Sequence, residues 1–199
     1  FKRVVITTVV AAAHVLILVV SKDLGSAVVF FVAYIVMLYV ATKKARYALA
    51  GLAGGTLAAV AAYFLFNHVR QRVIVWQDPI AVYDKVGGGY QVAQGLFGIS
   101  AGGWFGMGLG KGMPNIIPVV DKDFIFAAIC EELGAIFAIC MLLVCMSCYL
   151  MIVNVSMRMS KPFYKLIAMG LGAEYAFQVF LTVGGTSKFI PMTGITLPL

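Results

Sequence analysis

Charged residues are scarce in this chain, and their scarcity excludes a soluble globular fold. Only 12% of the 199 residues are charged and 62% are hydrophobic, whereas soluble domains have about a quarter of their residues charged and about half apolar. So few charges could not cover a core of this size. A bilayer removes that requirement, because lipid can face apolar side chains directly. We predict an all-α, polytopic transmembrane helical bundle that forms one membrane domain over residues 1–199.

The chain also lacks the patterns that bind metals or nucleotides. Its four cysteines lie in one apolar segment and include a single CxxC pair with no second pair: Cys130, Cys140, Cys145 and Cys148. This arrangement favours small apolar core residues over metal or redox chemistry. No metal-ligand cluster, phosphate-binding loop or Ser/His/Asp set is present in the sequence. We therefore predict no metal site from the pattern.

Five apolar stretches are candidate membrane spans, covering residues 4–20, 26–41, 47–66, 124–155 and 166–184. Spanning helices need about 17–25 apolar residues, so the second stretch is short and is expected to extend at its ends. The fourth is long and is expected to tilt or to emerge from the bilayer.

The net charge of +7 is concentrated in clusters that flank the spans, which favours membrane topology over nucleic-acid binding. These clusters are Lys2 with Arg3, then Lys43, Lys44 and Arg46, then Arg158, Lys161 and Lys165. With five spans they all fall on one side, which is the cytoplasm by the positive-inside rule. The long loop 67–123 is then extracytoplasmic.

The second part of this loop, residues 91–110, is apolar and glycine-rich. It is a poor spanning helix, since each Gly costs about 1 kcal/mol relative to Ala. We expect a re-entrant or interfacial segment, whose irregular backbone must be buried in protein or line a cavity.

Acidic residues number only eight, so each is a candidate for chemistry. Asp123 precedes the fourth span, where it could cap the helix or present a carboxylate to a cavity at the membrane surface. Glu131 and Glu132 lie about two turns further on, where an intramembrane carboxylate needs a partner or a water-filled cavity; packing and function both stay open. Asp23 could cap the second span.

Other polar residues leave similar alternatives. Glu174 and Gln178 share a helix face by their spacing and could hold two helices together or bind substrate. Four cations of the outer loop could bind an anionic headgroup or, with Trp76 and Trp104, anchor the chain at the interface. They are Arg70, Arg72, Lys111 and Lys122.

An ordered set of motifs resembles one family. They are Asp23-Leu-Gly25, Arg72-Val-Ile-Val-Trp76-x-Asp78-Pro79, Gly89-Tyr-Gln91, Gly102-Gly-Trp-Phe-Gly-x-Gly-Leu-Gly110, Asp123-Phe-Ile-Phe-Ala127, Glu131-Glu-Leu-Gly134, Gln178 and Pro191-Met-Thr-Gly-Ile-Thr-Leu-Pro198. The set is similar to that of the SEDS family (FtsW/RodA/SpoVE; shape, elongation, division and sporulation proteins). Family members have ten spanning helices, so we expect a fragment covering roughly the fifth to the ninth.

The resemblance implies a peptidoglycan glycosyltransferase that polymerises lipid II and releases undecaprenyl pyrophosphate, with a class B penicillin-binding protein as partner. It implies that Asp123 is the catalytic residue. The substrate-binding residues assigned with it are Arg72, Lys111, Gln91, Asp23, Glu131 and Gln178. A divalent cation such as Mg²⁺ is left open as a cofactor.

The chain departs from the family pattern before the catalytic Asp, before Asp-Leu-Gly and after the ninth-helix Gln. The departures, which indicate a divergent paralogue, are Asp121, Lys122, Ser21, Lys22 and Thr182. Two other functions stay open: a flippase for lipid-linked precursors, whose headgroup path the intramembrane glutamates would line, and a non-catalytic scaffold of a division or elongation complex.

Overall fold

Seven α-helices make up most of the part of the chain that the structure describes. A computed structural model describes residues 2–84 and 89–198, except the side chain of Arg3. The helices are α1 Lys2–Val20, α2 Leu24–Thr42, α3 Ala45–Leu65, α4 Asn67–Gln77, α5 Gly89–Gly102, α6 Ile125–Arg158 and α7 Pro162–Thr186. A single 3₁₀ turn, Pro114–Ile116, lies between α5 and α6. The described ranges contain no strand, and the predicted all-α class is confirmed.

All five predicted spans coincide with helices. Four of these helices, α2, α3, α6 and α7, are long and apolar enough to cross a membrane, and Val4–Val20 of α1 is a shorter apolar helix. α2 extends at both ends, as expected. Its first turn is capped by Asp23, whose Oδ1 accepts a hydrogen bond from the Ser26 backbone N–H at 3.0 Å. Its end is marked by Lys43 in the left-handed conformation.

The described residues form two compact units, and segments of α6 and α7 contribute to each of them. The first unit contains α1 to α3 with Ser147–Phe177. Here α2 has buried residues along its length, whereas α3 has none. Exposed apolar side chains on α3, such as Leu57 and Phe64, are typical of a lipid-facing helix. The single membrane domain stays a prediction.

The second unit contains Phe66–Met146 and the chain from Gln178 onward. Its core is built around the fully buried Phe124, which packs with Val75 of α4, Val92 of α5 and Ala127 of α6. Phe124 directly follows Asp123 in the sequence and packs with residues of all three helices. This packing fixes the position of the chain at Asp123, just before α6.

Helix α5 packs closely on the start of α6 through glycines spaced three and four residues apart. A Cβ at Gly95 would meet the Phe124 ring, and one at Gly98 would lie 3.1 Å from Glu131 Oε2. Small residues at such spacing let helix backbones approach closely. At 14 residues, α5 is about 21 Å long, which is too short to cross a hydrocarbon core of about 30 Å. This agrees with a segment that does not span; the choice between a re-entrant and an interfacial position stays a prediction.

Helix α6 is broken at Gly134, which has φ 82° and ψ 171°. That backbone region is essentially restricted to glycine. The peptide groups freed by the break bond to the loop after α5: Met107 N donates to Glu131 O at 2.9 Å, and Ala135 N donates to Gly103 O at 2.9 Å. The predicted fourth span is longer than one membrane crossing needs, and we expected it to tilt or to emerge from the bilayer. In the structure this long span contains the break at Gly134.

Candidate functional site

The second unit contains a cavity of about 170 Å³. It is formed by α4, the start of α5, the residue before Phe124 and the segment at and after the end of α7. Its lining residues are Arg72, Val75, Trp76, Gln91, Val92, Asp123, Gly185, Lys188, Ile190, Met192 and Gly194. Ligand pockets usually measure about 300–1,000 Å³, so the cavity suits one polar portion of a larger ligand.

Asp123 is held in the cavity wall by its neighbour in sequence. Phe124 is fully buried against Gly95 of α5, so the adjacent carboxylate is fixed in place although it precedes the helix. Asp123 does not cap α6. The helix begins two residues later, and within residues 2–84 and 89–198 the Asp123 carboxylate has no hydrogen bond or ion pair. Of the two readings of this residue, the structure favours the carboxylate that faces a cavity.

Partial burial and neighbouring charges together set the pKa of Asp123. Partial burial raises the pKa of the Asp123 carboxyl above its ordinary value, because burial removes water from the charged form. The positive charges of Arg72 and Lys122 act in the opposite direction, and the negative charge of Asp121 adds to the rise. The raised pKa moves this carboxyl toward the range that suits a general base.

Gly194 leaves room between Asp123 and Arg72. A Cβ at this position would lie 3.6 Å from Asp123 Oδ2 and 3.9 Å from Arg72 Nη2. The residue also has φ 79°, a conformation that glycine adopts most readily. The two charged groups therefore face the same open space, where a ligand atom could meet both.

Three hydrogen bonds hold the segment after α7 in place at the cavity. Arg72 Nη1 donates to Met192 O at 3.0 Å, and Trp76 Nε1 donates to Lys188 O at 3.1 Å. The buried Thr182 hydroxyl lies 3.0 Å from Ile195 O. Thr182, one of the departures from the family pattern, therefore anchors this segment to α7. Gln91, another lining residue, donates from Nε2 to Pro118 O at 2.8 Å, which attaches the loop before Asp123 to α5.

The two glutamates of α6 serve the loop between α5 and α6. Glu131 is only 6% exposed, and its Oε1 accepts the Met113 N–H at 2.8 Å. Glu132 Oε1 accepts the Gly110 N–H at 3.1 Å. Both carboxylates thus satisfy backbone donors of an irregular loop, which supports the packing reading of this pair.

The cavity brings together three of the seven predicted site residues: Arg72, Gln91 and Asp123. The other four are not among its lining residues. Lys111 is exposed in a turn, Asp23 caps α2, Glu131 binds the Met113 N–H, and the Gln178 carbonyl lies 3.0 Å from the Thr182 hydroxyl. The substrate-binding roles of these four residues stay predictions.

Two residues that line the cavity were not predicted from the sequence to belong to a site. Trp76 was interpreted only as an interfacial anchor, although its indole fixes the segment after α7. Lys188 was not considered. In the sequence, Lys188 is distinguished only as the sole charged residue after Glu174. Its place among the lining residues of the cavity is visible only in the fold.

Among the described residues, no group of three or more His, Cys, Asp or Glu side chains could hold a metal ion. Asp123 is the single carboxylate among the described residues that line the cavity. Mg²⁺ is often held by one or two carboxylates together with phosphate oxygens of a substrate. The use of a divalent cation therefore stays a prediction.

These features define a class: a multi-pass α-helical membrane protein with a half-buried carboxylate in a cation-lined cavity. The chain belongs to the family of cell cycle proteins that groups FtsW, RodA and SpoVE, whose pattern matches residues 1–199. The resemblance inferred from the motifs is confirmed.

Individual relatives carry more specific names. The chain is 40% identical over 185 residues to the peptidoglycan glycosyltransferase RodA of Mycobacterium tuberculosis (strain ATCC 25618 / H37Rv), covering 92% of this chain and 38% of that protein. It is 34% identical over 192 residues to the probable peptidoglycan glycosyltransferase FtsW of Aliivibrio salmonicida (strain LFI1238), covering 92% of this chain and 46% of that protein. The chain thus spans less than half the length of these relatives.

The fold has a counterpart among solved structures. A chain of a peptidoglycan synthase complex, solved to explain how polymerization and crosslinking are coordinated, matches with a TM-score of 0.76. The match covers 96% of this chain and 53% of that chain at 24% sequence identity. At that identity the likeness establishes the fold.

Proposed function

We propose that the protein is a peptidoglycan glycosyltransferase that polymerises lipid II, with Asp123 as its general base. The observation that carries the proposal is the position of Asp123: partly buried, without a hydrogen bond or ion pair among the described residues, and in a cavity that Arg72 also lines. The names of the curated relatives support the same activity.

The proposed reaction assigns each group one step. Asp123 takes the proton from the 4-hydroxyl of the acceptor sugar as the hydroxyl oxygen attacks the anomeric carbon of the donor. The bond between that carbon and the pyrophosphate oxygen breaks, and undecaprenyl pyrophosphate leaves with the bonding electrons. Arg72 stabilises the negative charge on the leaving group. A positioned base of this kind contributes about 10²–10⁴-fold to the rate.

The proposal places the cavity on the extracytoplasmic face of a bacterial plasma membrane. The basic residues between α2 and α3 and between α6 and α7 support this orientation through the positive-inside rule. It also includes a class B penicillin-binding protein as partner. The support for a partner is the likeness in fold to a chain from a complex that both polymerises and crosslinks.

The flippase has less support. It would use Glu131, Glu132 and Glu174 to line a headgroup path, but the carboxylates of Glu131 and Glu132 accept backbone hydrogen bonds from the loop between α5 and α6. The scaffold would leave the cavity and its carboxylate without a role.

Purified full-length protein supplied with fluorescent lipid II in liposomes separates the three functions. We expect glycan polymer, visible as a ladder on a gel. Movement of headgroups between leaflets without polymer would support a flippase. Absence of both activities, with binding to the transpeptidase retained, would support a scaffold.

A further inference from the structure

Lys188 occupies an unusual backbone position at the end of α7. Its φ is 61°, in the left-handed region that usually holds glycine after a helix and that is disfavoured for other residues because their Cβ crowds the backbone. The helix end is closed around it: Ser187 N donates to Val183 O at 3.0 Å, and Phe189 N donates to Gly184 O at 2.8 Å. A bulky charged residue thus stands where glycine would be more stable.

Trp76 fixes this lysine at the cavity. Its indole N–H donates to Lys188 O at 3.1 Å, so the backbone of the lysine is held by α4 as well as by α7. Both residues line the cavity that contains Asp123. The flexible four-carbon side chain of lysine can then bring its ammonium to a ligand in the cavity.

The charge of Lys188 is not used by the protein itself. Within the described ranges Lys188 has no ion pair. The charges that act on Asp123 are those of Arg72, Lys122 and Asp121. Arg72 is in addition bonded to Met192 O. The ammonium group of Lys188 is therefore available to pair with a negative charge on a ligand in the cavity.

We propose that Lys188 is a ligand-binding residue that holds a pyrophosphate group next to Asp123. Lysine binds phosphate well as a point charge. The proposal rests on the proposed function, in which a pyrophosphate leaves as the new glycosidic bond forms. It adds a residue that neither the motifs nor the sequence reading had assigned.

A structural explanation competes with this one, and the chain supplies its control. Lysines at helix carboxyl ends are favoured by the helix dipole, and Lys43 ends α2 with a similar φ of 54°. Lys43 belongs to the first unit and does not line the cavity. If Lys188 only ended a helix, changes at the two positions would have the same effects.

The test measures binding of farnesyl pyrophosphate, a short soluble pyrophosphate, to purified full-length protein by calorimetry. We expect Lys188→Gly and Lys188→Met to weaken binding about 10-fold or more, since a hydrogen bond to a charged group is worth that much. Lys188→Arg should remain within about threefold of the unmodified protein, and Lys43→Gly should be unchanged. Thermal unfolding should show that Lys188→Gly is at least as stable as the parent.

Two further probes identify what is bound. Farnesol lacks the anionic group and should bind equally to all variants. Inorganic pyrophosphate lacks the apolar chain, and its binding should depend on Lys188 in the same way as that of farnesyl pyrophosphate. The proposal is overturned if the unmodified protein does not bind farnesyl pyrophosphate, if Lys188→Met binds it equally well, or if Lys43→Gly weakens binding equally.

These outcomes are separable from the glycosyltransferase itself. Pyrophosphate binding that depends on Lys188, in a protein that makes no polymer from lipid II, would refute the activity and leave the anion site standing. Normal polymer formation with unchanged binding in Lys188→Met would refute the site and leave the activity standing.

Discussion

The two units of the molecule differ in how regular their helices are. In the first unit α2 and α3 are continuous, and α3 contributes no buried residue. In the second unit α6 is broken at Gly134, the loop after α5 bonds to the freed peptide groups, and Glu131 is buried. Apolar length alone accounts for a spanning helix, whereas irregular backbone persists in a membrane protein only where protein or a cavity surrounds it. The second unit meets that condition and holds the candidate site.

The largest effect is expected for Asp123→Asn, which removes the base and nearly preserves the shape of the side chain. Polymer formation from lipid II by the full-length protein should fall by about 10²–10⁴-fold, with unchanged membrane insertion and thermal unfolding. Asp84→Asn is the matched control, because Asp84 is exposed in the same unit and does not line the cavity. Polymerisation that stays within a few-fold in Asp123→Asn would remove this residue from the mechanism.

The next effect concerns the break in α6. Gly134→Ala should destabilise the protein by about 3 kcal/mol or more, because a side chain is strained at this φ and ψ. Its Cβ would also lie 2.5 Å from Trp104 O. Thermal unfolding of the full-length protein in detergent measures the loss.

Gly54 in α3 is the control for this comparison, since a Cβ there meets nothing within 4 Å. Gly54→Ala should change stability by at most about 1 kcal/mol, in the stabilising direction. Equal effects at Gly54 and Gly134 would mean that the break does not distinguish the two units.

The smallest effect is a shift in pH dependence. A general base works when ionised, so the rate should fall as pH drops through the pKa of Asp123, which burial has raised. Asp121→Asn removes a negative neighbour, so it should lower that pKa and move the acid limb to lower pH. Lys122→Gln removes a positive neighbour and should move the limb to higher pH. Shifts of kcat/KM in the same direction for both variants would contradict the electrostatic account.

Much of the helical architecture could be predicted because its signals are local. The five apolar stretches and the capping role of Asp23 follow from composition and from residue types that suit helix ends. The position of Asp123 just before its helix was also visible in the sequence. Whether its carboxylate caps that helix or faces a cavity was not. That choice depends on Phe124 packing against Gly95, a contact between distant parts of the chain.

The rest of the site depends on long-range contacts of the same kind. Lys188 lies at the cavity with its carbonyl bonded to the Trp76 indole, a residue 112 positions away in sequence. The sequence position of Glu131 suits a substrate path and packing equally, and the hydrogen bond from the Met113 N–H to its carboxylate favours packing. Periodicity and motif spacing carry no information on such pairings.

The orientation of the second unit is the point on which the proposed chemistry depends, and cysteine labelling tests it directly. Asp121→Cys, two residues from Asp123 and exposed, and Lys44→Cys, exposed between α2 and α3, would each be placed in a full-length chain without other cysteines. In intact cells a membrane-impermeant maleimide should label position 121 and not position 44. Labelling of position 121 only in inverted vesicles would place Asp123 in the cytoplasm, away from the proposed extracytoplasmic reaction, and would contradict the account.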